Sequence, residues 1–134
     1  MEELAADKDC GGHIGIAHTR WATHGEPSAE NAHPHVSMSG DLALVHNGII
    51  ENYQVLKEQL IARGYQFKST TDTEVLVQLI DSYYQQNGKD LVSAVCQSLN
   101  DVVGAYAIAV IECKNPTHIV AARQSSPLVV GVGA

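Results

Sequence analysis

The chain passes from strand to helix within one stretch, Asp41-Leu42-Ala43-Leu44-Val45-His46-Asn47-Gly48-Ile49-Ile50-Glu51-Asn52-Tyr53. The aliphatic run Asp41–His46 predicts a buried strand. Asn47-Gly48 favours positive φ, which predicts a tight turn. Asn52 is a candidate N-cap for a following helix that ends at Gly64. The apolar stripe of that helix is predicted at Tyr53, Leu56, Leu60 and Ile61.

Further elements are predicted on both sides of this stretch. Upstream, we predict a strand over 13–19 and a long irregular loop over 20–40. Downstream, we predict a short strand at Tyr65–Ser69, then a helix that runs from a Thr71/Glu74 capping box to about Gln86. A third helix is predicted over 90–99, and strands over 105–112, 118–123 and 128–132 with hairpin-length connections. Because strands and helices are grouped apart, the pattern predicts antiparallel α+β layers.

Length and composition narrow the class of protein. The 134 residues indicate one domain, and 45% hydrophobic with 17% charged residues is an ordinary globular balance. We expect a ragged segment over 1–10 and the domain over 11–134. The net charge of −7 argues against a nucleic-acid partner. No apolar run approaches membrane-spanning length. Three scattered cysteines favour a reducing, cytoplasmic location over a disulfide framework.

A polar loop, Arg20–Pro27, places several ligand-binding side chains close together in sequence. Arg20 can clamp a carboxylate through two parallel hydrogen bonds, and Trp21 can close over a small ligand. The structural alternative is an Arg20 paired with a local acid and a Trp21 in the core. Spacing alone favours that alternative.

Two further positions could serve acyl-transfer chemistry. The Asn47 amide and the Gly48 N–H are two donors that could stabilise the oxygen of a tetrahedral intermediate, although Asn-Gly is also a common hairpin signal. If Thr71 and Glu74 satisfy the helix cap, the Asp72 carboxylate is left free to bind an ammonium group. The alternative is an acid that complements the helix dipole.

Histidines are dense near the N-terminus: His13, His18, His24, His33 and His35. Such a cluster could bind zinc or nickel. However, no helical His pair and no CxxC accompanies it, so solvated or hydrogen-bonded histidines are favoured. We predict no metal and no cofactor.

Four motifs in order resemble one family: His18-Thr19-Arg20-Trp21-Ala22-Thr23-His24-Gly25, Asn31-Ala32-His33-Pro34-His35, His46-Asn47-Gly48-Ile49-Ile50-Glu51-Asn52 and Thr71-Asp72-Thr73-Glu74-Val75. They resemble the glutaminase domain of glucosamine-6-phosphate synthases, that is, glutamine–fructose-6-phosphate aminotransferases (isomerizing). These are class II glutamine amidotransferases. The first motif distinguishes this branch from related amidotransferases. The resemblance covers about residues 11–133.

The resemblance implies an N-terminal-nucleophile (Ntn) hydrolase fold with αββα layers, incomplete here at both ends. It implies that Arg20 holds the glutamine α-carboxylate and Asp72 the α-ammonium. Thr23 and His24 would line the pocket, with Trp21 at its mouth and His33 in support. Asn47 and Gly48 would form the oxyanion hole.

One departure concerns the nucleophile. The family uses an N-terminal cysteine followed by Gly-Ile, whereas this sequence opens Met1-Glu2-Glu3. Only nine residues separate Cys10 from Arg20, too few for the family's intervening strands and helix. We therefore expect a truncated, inactive piece of an enzyme that makes glucosamine 6-phosphate from fructose 6-phosphate and glutamine.

The expected partners are L-glutamine, the sugar isomerase domain of the parent chain and further copies of a homo-oligomeric parent. Two other functions stay open at this point. One is a free-standing pseudo-glutaminase that senses glutamine without catalysis. The other, less favoured, is a His-rich metal-binding domain.

Overall fold

A four-stranded antiparallel sheet organises the residues that the structure, a computed structural model, describes: 14–18, 28–29 and 31–133. The elements in chain order are β1 His35–Val36, β2 Leu42–Ile50, α1 Tyr53–Ala62, α2 Asp72–Gln86, α3 Leu91–Asp101, β3 Gly104–Glu112 and β4 Ile119–Gln124. The sheet order is β1-β2-β3-β4. The predicted α+β class is confirmed, and the described residues supply one sheet with one layer of helices.

The core lies between the sheet and helix α2. Alternate residues of β2, among them Leu42, Leu44 and Ile50, are buried on the helix side, whereas Asn47 and Ile49 between them are exposed. Most of α2 is buried because α1, α3 and the sheet surround it. Each fully buried aliphatic side chain contributes roughly 1.5–3 kcal/mol. This packing fixes the start of α2 against the middle of the sheet.

The capping box at the start of α2 is confirmed in part. The Thr71 hydroxyl accepts from the Glu74 N–H at 3.3 Å. The Glu74 carboxylate, however, accepts from the backbone N–H groups of Lys68 (2.9 Å) and Ser69 (2.7 Å). Those N–H groups are thereby taken from any sheet ladder, and the predicted strand Tyr65–Ser69 is wrong. The predicted end at Gln86 is confirmed.

Helix α1 begins after Asn52 as predicted, but Asn52 makes no side-chain cap. Its side-chain amide instead donates to the Asp101 carbonyl (2.8 Å) and accepts from the Val103 N–H (2.9 Å). These two bonds connect the segment just after β2 to the segment just before β3. Leu56 and Leu60 are buried as expected. Ile61 is exposed, because it lies one position past the inward-facing stripe.

The predicted turn at Asn47-Gly48 is wrong. Strand β2 runs through both residues, with Asn47 opposite Ala107 and Gly48 opposite Tyr106. The positive φ is present, at +131° for Gly48. A Cβ on Gly48 would lie 2.2 Å from the Ala105 carbonyl oxygen. The glycine therefore permits a close approach of two strands and does not form a turn.

The other strand predictions met mixed outcomes. The two strands over 105–112 and 118–123 are confirmed as β3 and β4 to within one residue, and they pair antiparallel. Residues 128–132 form no strand and are exposed, and residues 14–18 of the predicted strand 13–19 are also irregular. Neither segment pairs with a described strand. The predicted loop over 20–40 contains the short strand β1. Within the described ranges, no helix has the length and apolarity needed to cross a membrane.

Candidate functional site

Strand β2 has one edge that β1 covers only in part. At the two ends of β2 the odd-numbered positions bond towards β3: the Glu51 N–H donates to the Val103 carbonyl (2.7 Å), and the Asp41 carbonyl accepts from Cys113 (2.8 Å). The even-numbered N–H groups therefore point to the opposite edge. Strand β1 pairs there only with residues 43 and 44. Beyond residue 44, the N–H groups on this edge of β2 have no partner strand within the described part of the chain and can bond to side chains of other elements.

Two side chains occupy this edge on either side of Gly48. The His46 N–H donates to Nδ1 of His33 at 3.3 Å. The Ile50 N–H donates to Oδ2 of Asp72 at 2.8 Å. The alternation of the strand directs the Gly48 N–H to the same edge, between these two contacts. A backbone donor thus faces the space between an imidazole and a carboxylate.

Asp72 is the first residue of α2 and is only 3% exposed. One of the two carboxylate oxygens is engaged, because Oδ2 accepts from the Ile50 N–H. No side chain among the described residues forms a hydrogen bond with this carboxylate. Its negative charge at a helix N-terminus is stabilised by the helix dipole. Asp72 is therefore a buried carboxyl group that one backbone donor holds in place.

His33 lies within a group of rings at the same edge. It stacks on His18, with ring centroids 4.3 Å apart, and meets His35 edge-on at 5.1 Å. His35 in turn lies 2.9 Å from the Thr71 hydroxyl through Nε2. The described histidines are thus stacked or hydrogen-bonded. Within the described part of the chain, no group of three or more His, Cys, Asp or Glu side chains could hold a metal ion.

His46 was not among the predicted site residues, although it adjoins Asn47. Its ring is 3% exposed on the helix side of β2, with Nδ1 3.0 Å from the Thr73 hydroxyl. No described residue is hydrogen-bonded to Nε2. Burial lowers the pKa of His46, and His18 acts in the same direction, while the Asp72 carboxylate and the Ala105 backbone oppose the shift. The ring is therefore neutral near pH 7. The sequence feature that indicates a buried His46 is its position in β2, where every second residue faces the helices.

The predicted site residues fall into three groups, two of which the structure describes. Gly48, Asp72 and His33 meet along the β2 edge through the contacts above. Asn47 is adjacent in β2 but exposed, on the sheet face away from the helices. The predictions for Arg20, Trp21, Thr23 and His24 lie outside the described residues. The described part of the site therefore contains the Asp72 carboxylate, the Gly48 backbone N–H and the adjacent Asn47 side-chain amide.

This combination suits an amino-acid ligand that undergoes acyl transfer. A carboxylate can bind an α-ammonium group through charge-assisted hydrogen bonds. A backbone N–H and a side-chain amide, fixed by a rigid strand, can stabilise a developing oxyanion.

The chain belongs to the glutamine amidotransferase domain family, whose sequence profile matches residues 6–130. Among curated relatives, it is 62% identical over 133 residues to the glutamine–fructose-6-phosphate aminotransferase (isomerizing) of Bacteroides thetaiotaomicron, covering 99% of this chain and 22% of that protein. It is 56% identical over 124 residues to the protein of the same name from Chlorobaculum tepidum, covering 92% and 20%. The chain spans about a fifth of the length of the curated relatives it matches.

Solved structures place the fold in the same group of enzymes. The chain is similar to the glutamine phosphoribosylpyrophosphate amidotransferase of B. subtilis, with a TM-score of 0.63 and 34% identity, covering 79% of this chain and 22% of that one. It is also similar to a chain described as the allosteric regulatory enzyme of purine biosynthesis, with a TM-score of 0.52 and 36% identity, covering 61% and 18%. The resemblance to Ntn-type amidotransferases is thereby confirmed for fold and family.

Proposed function

We propose that this chain is the glutamine-binding, ammonia-releasing part of an aminotransferase that makes glucosamine 6-phosphate from fructose 6-phosphate and glutamine. The observation that carries the proposal is the contact between the Ile50 N–H and Asp72, which holds a carboxylate beside the Gly48 N–H. The 62% identity to an aminotransferase of that name supports the choice of sugar-phosphate branch.

Within this proposal the residues divide between binding and chemistry. Asp72 binds the α-ammonium group of glutamine and Arg20 its α-carboxylate. Thr23, His24 and Trp21 line and close the pocket, and His33 supports the β2 edge. Asn47 and Gly48 stabilise the oxygen that gains charge when a thiolate attacks the side-chain amide. The thiolate is that of the N-terminal cysteine that the family uses. As its S–C bond forms, the amide C–N bond breaks, and the leaving nitrogen takes the proton given up by the thiol and departs as ammonia; water then cleaves the γ-glutamyl thioester to glutamate and the thiol.

The remaining parts of the proposal concern the longer protein. A sugar isomerase domain receives the ammonia, and the parent protein is a homo-oligomer. We place it in the cytoplasm, because Cys96 and Cys113 are exposed free thiols.

The test is a chimaera in which this chain replaces the 133 aligned residues of the Bacteroides thetaiotaomicron relative. The proposal predicts glutamate release from glutamine and formation of glucosamine 6-phosphate, both within about tenfold of the unmodified relative, since the binding contacts are retained. The same chimaera with Asn47→Ala is the matched control for chemistry. A chimaera that melts like the relative and yet releases no glutamate would refute the proposal.

A further inference from the structure

The start of helix α2 is joined to strand β2 at two points that flank Gly48. On one side, Nδ1 of His46 lies 3.0 Å from the Thr73 hydroxyl. On the other side, the Ile50 N–H donates to Asp72 at 2.8 Å. Asp72 and Thr73 are consecutive in the helix, and His46 and Ile50 lie two positions before and after Gly48. One turn of helix is therefore joined to β2 on both sides of the glycine.

The His46–Thr73 contact is built as a fixed join. Both side chains are nearly inaccessible, at 3% and 2% exposure. The Thr73 hydroxyl is the side-chain hydrogen-bond contact of the ring, at 3.0 Å from Nδ1, and the Ala105 backbone also acts on the ring. The His46 backbone is fixed separately, by its N–H bond to His33. Loss of the Thr73 hydroxyl would therefore remove the contact between the ring and the helix, and would leave the Ile50–Asp72 bond to join the helix start to β2.

Gly48 needs such support more than an ordinary strand residue. It has φ +131° and no side chain of its own to pack against the helix. Its close approach to the Ala105 carbonyl leaves little room for a shift towards β3. Its N–H faces the other edge, between the two strand positions, His46 and Ile50, that the helix start contacts.

We infer that His46 and Thr73 are positioning residues of the proposed glutaminase reaction, which fix the Gly48 N–H relative to the Asp72 carboxylate. This inference rests on the proposed function. Neither residue touches the glutamine: Asp72 binds it, Gly48 donates to the reacting oxygen, and the His46–Thr73 pair sets the distance between the two.

The experiment uses the active chimaera described above. Thr73→Val removes the hydroxyl and keeps the shape, whereas Thr73→Ser keeps the hydroxyl. Ser82→Ala is the matched control, because Ser82 lies in the same helix, is 3% exposed and donates to the Leu79 carbonyl at 2.7 Å, away from the site. Glutamate release and thermal unfolding are measured for all four proteins.

The inference predicts that Thr73→Val lowers kcat about tenfold or more and changes KM by no more than about threefold. Complete removal of an oxyanion donor lowers kcat by about 10²–10³, and displacing the donor should cost part of that factor. Thr73→Ser recovers kcat to within about threefold, since the hydroxyl is restored. Ser82→Ala lowers the melting temperature as much as Thr73→Val and leaves kcat unchanged. If Thr73→Val does not fold, His46→Asn, which keeps a polar atom at the Nδ1 position, should retain the kcat that His46→Leu loses.

Two results would overturn the inference, and they are distinguishable from each other. If the parent chimaera is active and Thr73→Val or His46→Leu lowers kcat no more than Ser82→Ala, the positioning role is wrong and the proposed function stands. If the folded parent chimaera releases no glutamate, the proposed function fails and this inference fails with it.

Discussion

Replacement of Gly48 by alanine should destabilise the sheet strongly. The new Cβ would lie 2.2 Å from the Ala105 carbonyl oxygen, a distance that real side chains do not adopt, at φ +131°. A non-glycine residue in such a backbone region costs about 1–3 kcal/mol, and overfilling a packed site costs about 1–3 kcal/mol more. The combined loss of about 2–6 kcal/mol is a large part of the 5–15 kcal/mol that stabilises a typical domain.

The measurement is urea unfolding of the chain, followed by far-ultraviolet circular dichroism. Gly40→Ala is the control, because Gly40 also has positive φ (+79°) but a Cβ there meets no atom within 4 Å. It should lose only about 1–2 kcal/mol. Gly104→Ala, whose Cβ would lie 2.1 Å from the Ile49 carbonyl oxygen, should lose about as much as Gly48→Ala. The reasoning is refuted if Gly48→Ala is no less stable than Gly40→Ala.

Three further predictions address the site. In the chimaera, Asn47→Ala should lower kcat about a hundredfold with little change in KM, as expected for one oxyanion donor, and a kcat within a few-fold of the parent would remove that role. Arg20→Ala should raise KM about 10–100-fold, because it removes a charge-assisted contact to the substrate, and unchanged KM in a destabilised protein would make Arg20 a structural ion-pair residue. Burial lowers the pKa of His46 below its ordinary value of 6.5, His18 acts in the same direction, and the Asp72 carboxylate and the Ala105 backbone oppose the shift. The unfolded chain therefore binds the extra proton more readily. Stability should therefore fall as pH drops below about 6.5, and His46→Gln should reduce the loss between about pH 7.5 and 5.5; an equal loss in both proteins would contradict this.

The helices could be predicted from the sequence because their signals are local. The Thr71 cap and the Leu76, Leu79, Ile80 and Tyr83 spacing define α2, and the structure confirms its bounds. Asn47-Gly48 shows the limit of such signals. Positive φ at Gly48 was predicted correctly, but whether it serves a turn or a close approach depends on Ala105, more than fifty residues away. The same is true of residues 65–69, whose N–H groups bond to Glu74.

The contacts at the candidate site could not be predicted from the sequence. The motifs identified Gly48, Asp72 and His33, which the structure brings to one edge of β2. The bond from Ile50 to Asp72 joins a backbone donor to a side chain 22 positions later, and no local pattern encodes it. His46 could not be predicted as a site residue, because it falls at a buried position of β2 where the alternating pattern indicates only an inward-facing side chain.

The central claim is that Asp72 holds the ammonium group of glutamine. Asp72→Asn tests it cleanly, because the amide oxygen can still accept from the Ile50 N–H while the negative charge is removed. The measurement is kcat/KM of the chimaera for glutamine and for the analogue that lacks the α-amino group. We predict that the parent prefers glutamine by about tenfold or more, and that Asp72→Asn loses this preference mainly through a higher KM for glutamine. An Asp72→Asn chimaera that keeps the parent's preference would contradict the account.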